Sequence, residues 1–255
     1  MEAMQDSQTR WDVAADSYRT SSWHSNEAAL AHLVEVAKAD GGRALDVATG
    51  AGHAALAIAP HVDAVVATDT SQRMLEVTLQ EAERRGITNL TTEYADAQDL
   101  PFENASFDLV ICRTAAHHFS EPPKFLSEAY RVLKPKAKLI LVDTTGSEDE
   151  EADDLIDTFE RMRDPSHVRN YTKHAWQKMA ERAGFAVELE ETVSKPLNAK
   201  EWLERSGTPA DTRVELIDMI TLSQGWFRQY LSPHGEGDLL TFHLDETTFA
   251  LRKQR

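Results

Sequence analysis

Cysteine, cationic side chains and long apolar runs are scarce in this 255-residue chain, and each scarcity excludes something. A single cysteine, Cys112, rules out an intramolecular disulfide and fits a reducing cytoplasm. Lysine and arginine number 27 against 43 aspartates and glutamates, a net charge of −16. Nucleic acids and anionic membrane surfaces both call for clustered cations, so neither is expected as a partner. No apolar run approaches the ~18 residues of a membrane span. The polar stretch from Met1 to Arg10 lacks the apolar segment of a signal peptide. Internal repeats and low-complexity tracts are missing too. What is left is a chain long enough for one large α/β domain with a well-buried core, or such a domain with a small lid.

The most informative segment is Arg43-Ala44-Leu45-Asp46-Val47-Ala48-Thr49-Gly50-Ala51-Gly52-His53, followed by Ala54 to Ala59. It reads as a buried strand, a glycine turn and a helix. Gly50 and Gly52 let the backbone turn tightly and approach a ligand, and the helix behind them offers unpaired N–H groups. Gly50-x-Gly52-x-x-Ala55 also fits the dinucleotide pattern, in which a pyrophosphate sits on the helix end. Asp46, four residues before Gly50, should face the same ligand. A carboxylate repels a pyrophosphate in a low-dielectric pocket and attracts an ammonium. S-adenosylmethionine carries an ammonium and a sulfonium and no phosphate, so Asp46 favours it; the bland alternative is a turn cap.

Two more acids follow the same plan. Val62 to Thr68 reads as a second strand ending at Asp69, and Ser71 then caps a helix bearing Met74, Leu75 and Leu79. Asp69 lies where an acid accepts both ribose hydroxyls, a feature that NAD sites share. A third strand, Leu90 to Tyr94, ends at Asp96-Ala97, where a carboxylate can accept from an adenine amino group while the Ala97 N–H donates to the ring. One acid at a strand end is commonly a cap. Three at successive strand ends point to an adenosine-containing ligand.

The segments LDVATGAGH, VVATDTSQRMLE, YADAQDLPFENASFDLVICRTAAHHF, EAYRVLKPKAKLILVD and RDPSHVRNYTKHAWQKMAERAGF lie in order between Arg43 and Phe185. Together they resemble the class I S-adenosylmethionine-dependent methyltransferases, within them the type 11 group related to ubiquinone and menaquinone biosynthesis. One departure is Ala48, where the family usually has glycine; a closely similar subset shares DVATG. The resemblance implies a doubly wound, mostly parallel, Rossmann-like α/β sheet, S-adenosylmethionine as cofactor and S-adenosylhomocysteine as product. It places Tyr18, Asp46, Ala48, Gly50, Gly52, Asp69, Thr70, Met74, Asp96, Ala97 and Arg113 around the cofactor.

Residues 1–40 are expected as a helical arm, with Ala28, Leu30, Leu33, Val34 and Ala37 on its apolar face and Gly41-Gly42 ending it. Residues 41–190 are the expected cofactor core. Its later part reads as a strand Phe107–Cys112, a helix Glu121–Leu133, a break at Lys134-Pro135 and a strand Ala137–Asp143. An acidic helix start at Glu148–Asp157, a helix Tyr171–Ala183 and a strand Phe185–Glu190 follow. Asn198–Gln229 reads as extra helices, a lid within 191–238, and Leu239–Lys253 as a terminal β-hairpin within 239–255.

Methyl transfer needs an aligned nucleophile and exclusion of water, and a base only where the acceptor must lose a proton. His117 and His118, after the fourth strand, are candidate bases, although the pair recurs in the family whatever the substrate, which also suits packing or hydrogen bonding; His117 is the one expected to face the pocket. In the arm, Tyr18, Ser22 and His24 either fold over the ligands or form a polar linker. Arg169 and Tyr171, in the loop after the fifth strand, are candidates for the acceptor; a structural ion pair is the alternative for Arg169. His24 and Tyr171 join His117 as candidate catalytic groups, and His118 as a candidate substrate contact. The five tryptophans read as packing residues. Asp143 sits where some relatives bind magnesium, but Arg113 and Thr114 after the fourth strand suit a hard cation poorly, and no metal is expected. The expected enzyme is a cytoplasmic monomer or homodimer that methylates a small organic acceptor at oxygen or carbon. The alternatives are an NAD-dependent oxidoreductase and a non-catalytic S-adenosylmethionine-binding protein.

Overall fold

The computed structural model describes residues 26–254. Strand and helix alternate from α1 (Glu27–Ala37) through β1 (Arg43–Val47), α2 (His53–Ile58), β2 (Ala64–Asp69), α3 (Gln72–Arg84), β3 (Leu90–Tyr94) and β4 (Phe107–Arg113). They continue through α4 (Pro122–Val132), β5 (Leu133–Thr144), α5 (Glu150–Arg163), α6 (Lys173–Arg182) and β6 (Phe185–Asn198). The short helices α7 (Ala199–Arg205), α8 (Ala210–Thr221) and α9 (Gly225–Leu231) precede β7 (Thr241–Lys253).

The strands form one sheet in the order β3-β2-β1-β4-β5-β7-β6, with β1 to β5 parallel and β7 antiparallel to both its neighbours. Ala44–Val47, Val65–Thr68 and Leu109–Arg113 are buried without alternation, because helices cover both faces of these central strands. Leu45, Val110, Leu126, Leu141 and Trp176 fill one layer, and Leu33, Leu56, Val65, Ile111 and Ile140 the other. Local signals fix the helix starts. The Ser71 hydroxyl accepts from the Met74 N–H at 3.1 Å, and the Asp149 carboxylate from that of Ala152 at 3.0 Å.

Two expectations are corrected. Lys134-Pro135 does not interrupt the chain before β5; it lies inside that strand, where the register to β4 shifts between Phe107 and Leu109. A bulge absorbs the missing proline N–H. Leu239–Lys253 is no hairpin either. Residues 241–253 are one strand, paired to β5 along one edge and to β6 along the other, which satisfies more backbone groups than folding on itself would. β6 runs on to Asn198, well past Glu190.

Pairing of β7 with β5 ends at Glu246–Thr144, whereas pairing with β6 continues to Thr241–Asn198. A two-stranded ribbon therefore projects past the sheet and carries α7, α8 and α9. A third core gathers beneath these helices: Ile156 and Phe159 of α5 meet Trp202, Ile220, Phe227 and Phe242. Among the described residues, no helix is long and apolar enough to cross a membrane.

Candidate active site

β1 lies between β2 and β4, so the chain leaves it to opposite sides and opens a crevice at the carboxyl ends of the strands. A cavity of about 410 Å³ fills that crevice. Ala48, Gly50, Asp69, Thr70, Met74, Asp96 and Ala97 all line one end of it. The Asp69 carboxylate accepts the Gly50 N–H on one oxygen and the Ser71 N–H on the other, both at 2.9 Å. A carboxylate at this place is the acceptor that a pair of ribose hydroxyls requires. Asp96 accepts from the Gln98 N–H at 2.8 Å, which fixes its carboxylate at the β3 end.

The two glycines divide the work. Gly50 has φ +55 and open space where a side chain would project, so its backbone faces the cavity bare. Gly52 does not line the cavity. At φ +82, a Cβ there would stand 2.6 Å from Thr78 Cγ2, so this glycine serves the close approach of the β1–α2 turn to α3. Ala48 adopts φ +53, a left-handed conformation that favours the glycine usual at this place. Thr114, which lines the same cavity, is a β-branched residue at φ +55. Strained residues of this kind cluster at ligand sites.

Asp46 is buried in an annex of about 50 Å³ that it shares with Arg113, Ala48, Gly50 and Thr114. Its carboxylate accepts the Thr49 hydroxyl at 2.6 Å and the Ala55 N–H at 3.0 Å. Burial pushes its pKa up to about 7, and these two bonds and the Arg113 charge oppose that rise. Asp46 thus reaches the crevice through the annex rather than from the wall of the main cavity.

The far end of the cavity is built by the turn after β4 and by the segment after α5. His117 Nδ1 lies 2.6 Å from Asp143 Oδ1, and the other Asp143 oxygen accepts the His117 N–H at 2.9 Å. The carboxylate can only accept, so Nδ1 carries the hydrogen and Nε2 presents its lone pair. Burial disfavours the imidazolium, yet the Asp143 charge and hydrogen bond outweigh it and raise the His117 pKa above the usual value. His118 differs. Burial and the neighbouring His117 push its pKa down, and its Nδ1 donates to the Ser166 carbonyl at 3.0 Å.

Other expected site residues lie elsewhere. Arg169 is not a cavity residue; its guanidinium bonds Asp153 at 2.5 Å, which is the structural ion pair. Tyr171 is also outside the lining, packed edge-on to Trp176 with ring centroids 5.4 Å apart, so an acceptor or catalytic role is not supported. Trp176 and Trp202 are buried, as packing residues are, whereas Trp226 is exposed. Tyr18, Ser22, His24, Trp11 and Trp23 fall outside the described residues. Sequence reasoning missed Asp143 as the partner of His117, and His167, Arg163 and Trp202 as lining residues. The sheet order held a signal for Asp143, because β4 and β5 are neighbours and their ends must meet.

Residues 45–141 match a family described as a methyltransferase domain. The uncharacterized methyltransferase YcgJ of Bacillus subtilis is 38% identical over 175 residues, 69% of this chain and 69% of its own. The crystal structure of YcgJ superposes with a TM-score of 0.84 at 32% identity, covering 89% of this chain and 98% of that one. A demethylmenaquinone methyltransferase of Clavibacter sepedonicus is 40% identical over 110 residues, 42% of this chain and 43% of its own. With the sheet order, these likenesses remove the dinucleotide reading of the Gly50 turn. The chain belongs to the S-adenosylmethionine-dependent methyltransferases.

Proposed function

We propose that this protein binds S-adenosylmethionine across the β1–β3 edge and methylates a small organic acceptor at oxygen or at an acidic carbon. The carrying observation is that one cavity joins the Gly50–Asp69–Asp96 edge to the His117–Asp143 pair. Asp69 would hold the ribose hydroxyls, Asp96 and Ala97 the adenine, and Asp46 with Arg113 the amino-acid end. When bound, the cofactor supplies an electrophilic methyl group and a neutral thioether leaving group. His117 Nε2 takes the proton from the acceptor's hydroxyl or acidic C–H, and Asp143 stabilises the resulting imidazolium. A neutral amine needs no such base before it attacks, which favours oxygen or carbon over nitrogen. The lid core and the 163–168 segment exclude water. Cys112 is buried and has no disulfide, which fits a cytoplasmic setting.

Calorimetry with S-adenosylhomocysteine tests the cofactor half. Asp69→Ala should weaken binding roughly tenfold to a hundredfold, because charge-assisted hydrogen bonds contribute about 1.5–3 kcal/mol. His117→Gln should keep that affinity while S-adenosylhomocysteine release, with catechol as acceptor, falls by about 10²-fold or more. Wild-type affinity in Asp69→Ala, or undiminished turnover in His117→Gln, contradicts the assignment.

A further inference from the structure

A second histidine–carboxylate pair faces the same chamber. His167 lines the cavity, and its Nε2 lies 3.2 Å from Asp157 Oδ1. Both residues are buried, and Asp157 is itself fixed on α5: it accepts the Asn170 N–H at 2.9 Å and lies 3.8 Å from Arg169 Nε and 3.7 Å from Arg161 Nη1. Since the carboxylate can only accept, Nε2 carries the hydrogen and Nδ1 presents a lone pair. Among the described residues no group hydrogen-bonds that Nδ1. The His167 ring stands 5.5 Å from the His117 ring at a tilt of 30°. The backbone locks the spacing, because the Val168 and Arg169 N–H groups both donate to the His117 carbonyl, at 2.9 and 3.1 Å.

We infer that the chamber selects an acceptor carrying two hydroxyl donors on one planar ring, in 1,2 or 1,3 relation, with His117 taking the hydroxyl that reacts and His167 the one that stays. This rests on the methyltransferase reading above and names its substrate class. In their neutral forms, the ones able to take a proton, the two anchored imidazoles have their hydrogens turned to Asp143 and Asp157 and offer two acceptors, of which a monohydroxy compound uses only one. The rest of the lining is mixed: Phe119, Leu197, Leu244 and Trp202 give apolar surface for a ring, beside the charged Glu160, Arg163, Asp164 and Arg205, of which Arg163 is closed on Glu160 at 3.2 Å with its guanidinium 4.7 Å over the Trp202 ring. His167 is therefore a specificity residue and Asp157 its positioning residue.

The test uses the full chain saturated with S-adenosylhomocysteine and titrated with catechol, resorcinol and phenol in a calorimeter. In the wild type, at least one diol should bind about tenfold tighter than phenol, the worth of one added hydrogen bond to a buried acceptor. His167→Gln should bring the three within about twofold, and Asp157→Asn should give a smaller loss of the same preference. Phenol binding as tightly as both diols in the wild type overturns the inference without any variant. So does a diol preference that survives in His167→Gln. If S-adenosylhomocysteine itself fails to bind, the methyltransferase reading falls. If it binds, and His117→Gln weakens phenol while His167→Gln changes nothing, only the diol assignment falls.

Discussion

At Asp46 the ligand site and the stability of the fold pull in opposite directions. A buried carboxyl lifted to about 7 keeps in the folded state a proton that the unfolded chain releases near pH 4. Stability from this group therefore falls as pH rises from about 4 to about 7, and the charged form is costly above that. Asp46→Asn should raise the unfolding temperature at pH 8, with a gain that shrinks toward pH 4, and should weaken S-adenosylhomocysteine because the ammonium loses its partner. A gain independent of pH in thermal melts would show that desolvation of this carboxylate is not the cause. The sequence singled out this acid as a candidate ligand group, but not the depth of its burial, because burial depends on Thr49, Ala55 and Arg113 closing over it.

Among the elements, the β1–α2 junction shows why two glycines of one motif are not equivalent. Gly50→Ala places a methyl group in open space at φ +55, whereas Gly52→Ala drives one into Thr78 at φ +82. Gly52→Ala should cost about 2–4 kcal/mol in urea unfolding, and Gly50→Ala only about 1 kcal/mol. The ranking should reverse for S-adenosylhomocysteine affinity, since only Gly50 lines the cavity. Equal costs in both assays would deny the division. The spacing of the motif was plain from the chain, but the partner was not: Thr78 is a helix residue 28 positions beyond Gly50, and its hydroxyl bonds the Gly50 carbonyl at 3.0 Å. Similarly, the end of the chain reads as β-structure folded into a hairpin, whereas the free edges of β5 and β6 make 241–253 a single strand between them.

For the whole molecule, the layered core and the lid core are separate units joined through α5 and the β6–β7 ribbon. Phe159 stacks on Trp202 with centroids 4.9 Å apart and meets Phe227 and Phe242 edge-on. Phe159→Ala should cost about 3–5 kcal/mol locally, and hydrogen exchange should quicken across 199–231 more than across 43–69. Uniform acceleration would mean that lid and sheet unfold as one. The sequence by itself determined the alternation of strand and helix as far as Asp143 and the three acids at successive strand ends, and with them the fold class. Those signals are local: a strand, its turn and its terminal residue are neighbours in the chain. Only the tertiary structure decided that Asp143 backs His117 from 26 residues away, that Asp157 backs His167 beside it, and that Tyr171 packs half-buried against the core. Those contacts join strands and loops through the order of the sheet and the docking of α5, and residue pattern along the chain does not encode which side chain will stand opposite another.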